Sequence, residues 1–122
     1  DGILSVMVKS NLKEGSNAQK VVVQTYNYDL RNNKEITIDE MLKIKGMDKQ
    51  FVQNKINDEI SEEEKKVEDL KNLGYNIYTR DTSSNMYDLE NASEFYVTED
   101  TLYIIYAYGN QTSTSEMDLV IL

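Results

Sequence analysis

Hydrophobic and polar residues alternate with a period of two in several separate stretches, and that period is the mark of a β-strand with unequal faces. Lys20–Leu30 holds such a stretch, where Val21, Val23 and Thr25 alternate with Val22, Gln24 and Tyr26, and Ile3, Leu4, Val6, Met7 and Val8 form a first strand-like run before it without strict alternation. Arg31-Asn32-Asn33 supplies turn chemistry after the second run, so an antiparallel hairpin is the simplest pairing, with Val21, Val23 and Thr25 as its preferred core face. The polar stretch Asn11 to Gln19, around Gly15-Ser16-Asn17, reads as an exposed loop between them. A second hairpin is predicted from Glu94–Thr98, a turn at Glu99-Asp100, and Thr101–Tyr108. The sequence TLYIIYAY of that last segment is the longest nearly unbroken apolar run and reads as a central strand. Met117–Leu122 is the final strand, after a polar loop from Gly109 to Ser115.

Between the hairpins the period changes to that of a helix. Thr37 with Glu40 three residues later is a capping box, Ile36 is placed to staple it, and Gly46 stops a short helix over Ile38–Lys45. From Asp48 to Asn72 the spacing gives one apolar stripe of Phe51, Val52, Ile56 and Ile60 and another of Val67, Leu70 and Leu73. Ser61 with Glu64 repeats the capping-box spacing, which predicts a bend at Ser61 and a new helix ending before Gly74. Tyr75–Thr79 reads as a brief extended piece, Arg80–Asn85 as a polar loop with no buried anchor, and Met86–Ala92 fits neither period.

This order of elements predicts an α+β fold: an antiparallel sheet of four to five strands packed on one face by two or three helices, the other face open to water or a partner. The length of 122 residues fits one domain, 1–122, with one core. Its abrupt start at Asp1-Gly2 before a strand reads as a processed fragment or as a mature exported N-terminus.

Composition narrows the chemistry. Without cysteine or histidine there is no disulfide, no thiolate nucleophile, no Cys- or His-based metal centre and no Ser-His-Asp catalysis. A net charge of −9 repels nucleic acid and anionic membranes and steers basic proteins inward, so nucleic acid is not an expected partner. No run approaches the roughly 18 apolar residues of a membrane span, so no membrane insertion of this segment is expected.

Carboxylates are the remaining catalytic candidates. Glu99 and Asp100 occupy a turn, where solvated side chains are the ordinary state, and Glu116 and Asp118 stand two apart on a strand and so share a side. Calcium can be tried on Asp81-Thr82-Ser83-Ser84-Asn85 with Asp88 and Glu90, but the EF-hand glycine and terminal glutamate are out of place. Lys43, Lys45 and Lys49 are interspersed with acids, and the sequons Asn91-Ala92-Ser93 and Asn110-Gln111-Thr112 are short patterns common by chance. No catalytic residue, metal site or cofactor is therefore expected. Nine tyrosines are a different matter, because phenols pack in sheets and also anchor protein or glycan partners. On the central strand Tyr106 and Tyr108 lie opposite Tyr103, so one set is core and the other faces out; all three are candidate partner contacts.

The segments Tyr26–Leu30, Lys34–Leu42 and Phe95–Tyr106 in this order resemble the extracellular domain family of the anti-sigma factor RsiV and related exported domains of Gram-positive bacteria, some attached to polysaccharide or peptidoglycan deacetylases. The resemblance spans about Val21 to Leu122. It implies the C-terminal part of a larger extracellular region: a noncatalytic extracellular or cell-surface module for sensing or protein interaction, membrane-anchored or secreted in the full-length protein. In the anti-sigma branch the ligand is lysozyme, a basic protein. The alternative it implies is an accessory peptidoglycan- or glycan-binding domain of a cell-wall-modifying enzyme.

Overall fold

The computed structural model describes residues 2–13, 15 and 19–122. Strands β1 (Ile3–Leu12) and β2 (Lys20–Asp29) pair antiparallel without a slip from Ile3↔Asp29 to Leu12↔Lys20. The first strand thus runs beyond Val8 into the expected loop, of whose centre only Gly15 falls among the described residues. Asp29 sets the following turn by accepting from the N–H groups of Arg31 and Asn32 (3.0 and 3.1 Å), and Asn33 takes a left-handed φ of 56°. The chain then returns as a two-residue strand, β3 (Lys34–Glu35), on the other edge of β2.

Helix α1 (Ile38–Lys45) begins at the expected capping box: Thr37 accepts from the Glu40 N–H, and Glu40 accepts from the Thr37 N–H. Gly46, at φ 67°, ends it. Helix α2 (Lys49–Asn72) is one uninterrupted helix of 24 residues, capped by Asp48 on the Phe51 N–H. The expected bend at Ser61 does not occur. Val52, Ile56, Ile60 and Val67 are buried on a single stripe, since a step of seven residues drifts only about 20° around a helix. Breaking the helix at Ser61 would free backbone groups for no gain in burial. Phe51, Leu70 and Leu73, assigned to apolar stripes on spacing, are exposed.

Residues 75–79 form no strand, and two short 3₁₀ turns, Asn85–Tyr87 and Leu89–Asn91, lead to the second hairpin. There β4 (Phe95–Val97), β5 (Leu102–Ala107) and β6 (Met117–Ile121) pair antiparallel in that order, with β5 central as its sequence predicts.

The fold is α+β, but the single sheet of four to five strands is replaced by two three-stranded sheets, β1-β2-β3 and β4-β5-β6, with two helices. The β4-β5-β6 sheet is the middle layer. Leu102, Ile104, Tyr106, Tyr108 and Val120 share one core with Ile36, Ile38, Met41 and Leu42 around α1 and the buried stripe of α2. On the opposite face Ile105 packs on Val21 and Val23, the face of β2 that the alternation favoured. The side opposite the helices is thus partly covered by the first hairpin.

Backbone groups explain why the sheets do not merge. The edge of β2 away from β1 is satisfied mainly by groups that are not a strand. Val21 N–H donates to Thr114 O (3.0 Å), and Val23 N–H donates to Asn110 Oδ1 while Asn110 Nδ2 donates to Val23 O (2.9 Å each). The free edge of β4 is met in return by side chains of the first hairpin: Phe95 N–H donates to Thr25 Oγ1, Asn27 Nδ2 to Phe95 O (2.8 Å), and Val97 N–H to Ser5 Oγ. Each sheet therefore closes the other's raw edge, which otherwise invites further pairing.

Gly109 makes this approach possible. A side-chain carbon there would lie 1.8 Å from Val21 O and 2.7 Å from Thr114 O. We expect Gly109→Ala to cost about 3 kcal/mol in urea unfolding, at the upper end of overpacking penalties. An unchanged midpoint would contradict the close packing of this loop on β2.

Candidate functional site

The densest polar constellation lies under the end of β5. Arg80, from the loop expected to hold no anchor, is only 5% exposed. Its guanidinium forks onto Asp118 of β6, Nε to Oδ2 at 2.8 Å and Nη2 to Oδ1 at 3.0 Å, and Nη1 reaches Tyr78 O at 3.0 Å and Glu116 Oε1 at 3.3 Å. Tyr78 and Tyr108 stack with ring centroids 4.5 Å apart, and the guanidinium carbon lies 5.1 Å from the Tyr108 centroid. Glu116 also accepts from Tyr78 N–H (2.7 Å), and Glu64 of α2 accepts from Arg80 N–H (3.0 Å), so the loop backbone is held from both sides. Glu116 and Asp118 do share a side, as their spacing requires, and what they share is a cation.

Tyr108 donates to Asp118 Oδ2 (2.6 Å). Its single proton is spent there, so in the 2.7 Å contact with Tyr87 it is Tyr87 that donates. Burial works against the charged guanidinium of Arg80, but the hydrogen bonds and charge of Asp118 outweigh it and hold Arg80 above its ordinary range. Burial pushes the Tyr87 phenol up to about 12. Tyr106 and Tyr108 are also pushed up, both first by burial and Tyr108 further by its bond to Asp118.

The three candidate tyrosines divide accordingly. Tyr106 and Tyr108 are buried on the helix side, 5% and 3% exposed, and Tyr106 Oη has no protein partner among the described residues. Tyr103 is on the other face, half-buried, with its ring 6.3 Å from that of Tyr96. Its cross-strand neighbour Ile121 and, two residues along, Leu119 are exposed beside it, so this side of β5 and β6 carries an uncovered apolar strip. The structure does not bring Tyr103 together with Tyr106 and Tyr108.

Other candidates resolve as local structure. Asp81 accepts from the N–H and Oγ of Ser83, and among the described residues no group of three or more acidic side chains is placed to hold a metal ion. Lys45 ties α1 to the carbonyls of Thr98 and Glu99, and Lys49 pairs with Asp39. Burial raises the Glu94 carboxyl, which is turned onto Thr25 of β2. Asn110, a sequon asparagine, is already engaged through its amide with Val23. Sequence reasoning missed Arg80, Asn27 and Asn110; for Arg80 the available signal was Glu116-x-Asp118 itself, two same-side carboxylates on a strand that needs a cation to be buried.

No family model, curated protein or solved structure matches the chain.

Two outcomes follow from this cluster. Asp118→Asn leaves the buried guanidinium without its closer charge partner, with only Glu116 at 3.3 Å, and is expected to cost about 3 kcal/mol by denaturant unfolding, since breaking a buried pair costs more than the pair gains. In alkali, the folded state disfavours ionisation of Tyr87, Tyr106 and Tyr108 relative to the ordinary value of 10.0, so their stabilising share is complete below pH 10 and is lost as pH rises toward and beyond about 12. Absorbance of these three tyrosinates at alkaline pH should therefore emerge together with loss of the circular dichroism of the fold. Full ionisation of all nine tyrosines with the fold intact would refute it.

Proposed function

We propose that this chain is a noncatalytic protein-interaction module acting at the cell surface or outside the cell, with a basic protein of the lysozyme type as ligand. The observation that carries the reading is the division of charge. Residues 2–28 hold Lys9, Lys13 and Lys20 with only Glu14, whereas residues 29–122 hold 20 acidic against 10 basic side chains. The acidic part includes Asp58, Glu62 and Glu68, exposed on α2 among Lys55, Lys65 and Lys66, while the apolar stripe of that helix faces the core. A body of net negative charge attracts and orients a basic partner. The noncatalytic part of the reading is supported by the use of Glu116 and Asp118, the best-placed carboxylate pair, as partners of a buried arginine. The family resemblance of Val21–Leu122 points the same way.

The alternative, an accessory peptidoglycan- or glycan-binding domain of a cell-wall-modifying enzyme, is favoured by a polar depression of about 530 Å³ lined by Gln19, Tyr78, Thr112, Ser113, Ser115 and Glu116 among others, where a tyrosine stands beside hydroxyl groups.

Calorimetric titration of the chain with a basic lysozyme, and separately with soluble wall fragments, at low and moderate salt tests both. Saturable lysozyme binding that survives moderate salt is expected. Heat that vanishes as exposed charges become screened over about 8 to 10 Å would reduce the attraction to nonspecific steering and overturn the receptor reading. Saturable binding of wall fragments alone would establish the alternative.

A further inference from the structure

The first hairpin presents a surface of different character from the acidic body. Its register fixes which backbone groups of β1 are free. Val21 and Val23 of β2 turn their N–H groups away from β1, toward Thr114 and Asn110. In an antiparallel ladder the intervening residues, Val22, Gln24, Tyr26 and Tyr28, are then the ones bonded to β1, through their partners Ser10, Val8, Val6 and Leu4. The odd residues of β1, among them Ser5, Met7 and Lys9, therefore direct N–H and C=O outward along an edge about 33 Å long. No other strand lies on that edge among the described residues.

Natural sheets blunt such an edge with proline, bulges, several charged side chains (lysine above all), a covering helix or loop, or short length. Here β1 is ten residues long, is paired without a bulge, contains no proline and carries Lys9 as its one charge. Its outer face is apolar: Leu4, Val6, Val8 and Leu12 with Tyr26 are each 38% to 50% exposed or, for Tyr26, 56%. Neither strand holds an acidic residue before Asp29, and Lys9, Lys13 and Lys20 form no ion pair among the described residues.

We propose that the free edge of β1 is a strand-addition site for an extended peptide segment of a partner protein, one that alternates apolar side chains with acidic ones. Main-chain pairing with Ser5, Met7 and Lys9 gives affinity, the apolar side chains prolong the Leu4, Val6, Val8 face, and carboxylates meet Lys9 and Lys13. Charge favours this occupant over a second copy of the chain, because two β1 strands joined edge to edge bring together two Lys9 side chains and no carboxylate of either strand. It also selects the edge, because the rest of the surface repels an acidic peptide. The site is separate from the acidic face assigned to a basic protein, and stands or falls independently of it.

The test measures amide exchange of the isotope-labelled chain by nuclear magnetic resonance with a capped peptide of about nine residues that alternates valine and threonine and carries two glutamates, and with its counterpart carrying lysines. The glutamate peptide is expected to slow exchange at Met7 and Lys9 by about tenfold or more, and the lysine peptide to leave it unchanged. Met7→Pro removes an outward N–H that the fold does not use, and should abolish the effect while exchange at Val23 stays slow. Lys9→Glu, which touches no backbone bond, should reverse the preference between the peptides. Absence of slowing at millimolar peptide overturns the site. Equal slowing by both peptides overturns its acidic chemistry, and slowing that grows with protein concentration without peptide shows that a second copy is the occupant.

Discussion

The structure depends on a backbone constraint: β2 and β4 each have one edge without a full partner strand, and neither edge is left to water. Asn110 answers Val23 with both halves of its amide and so imitates a paired residue, while Asn27, Thr25 and Ser5 do the same for β4 from the other side. Buried N–H and C=O groups must be paired, and a side-chain amide offers one donor and one acceptor at nearly the spacing a strand would. Asn27 is itself buried and engaged at both ends of its amide, donating to Phe95 O and accepting from Ser5 Oγ at 2.6 Å. The proximity of Gly109 to Val21 and the covering of Ile105 by Val21 and Val23 accompany these contacts.

A second constraint anchors the long irregular stretch between α2 and β4. Residues 75–94 contain little regular structure, and a loop of that length has no reason to stay on the core unless something holds it. Arg80 is that hold. It fastens the loop to β6 through Asp118 and to α2 through Glu64, while Gln53 of α2 secures the 3₁₀ turns by donating to Tyr87 O and accepting from Leu89 N–H. Burying an ion pair brings little net stability, but it is intolerant of rearrangement, so the pair fixes one loop path against others of similar apolar burial. The tyrosines extend that specificity: Tyr87, Tyr108 and Asp118 form a directed chain of hydrogen bonds in which each proton has one place to go.

Both hairpins, the capping box of α1 and the central place of β5 were legible in the sequence because period-two alternation and Thr37-x-x-Glu40 are local signals. The continuity of α2 was legible too, but in the phase of the stripe rather than in the caps: Ser61-x-x-Glu64 has the spacing of a helix start and also of an ordinary exposed pair within a helix, whereas Ile60 and Val67 share a face only if the helix runs on. The division into two sheets was not legible. It is made by side-chain hydrogen bonds of Asn27, Asn110 and Thr25, which no local pattern signals, acting across separations of 68 to 87 residues. Arg80 eluded the reading for the same reason: one arginine in a polar loop has no period, and its partner is 38 residues away.

The burial of Tyr106 and Tyr108 has a functional side. Side chains locked into the core network are not free to reorganise around a partner, so the proposed interaction role would fall to what the core holds rigid: the acidic body, the strip around Tyr103, and the first hairpin. These differ in kind. Net negative charge on the body acts at a distance and would set the rate and orientation of a basic partner's approach, but exposed pairs add little affinity once salt is present. The Tyr103 strip and the outer face of β1 offer apolar area, and β1 adds unsatisfied main-chain groups that a peptide can pair one by one. The same requirement that shapes the interior, that backbone groups be paired, thus leaves β1 as a long edge at which it is still open.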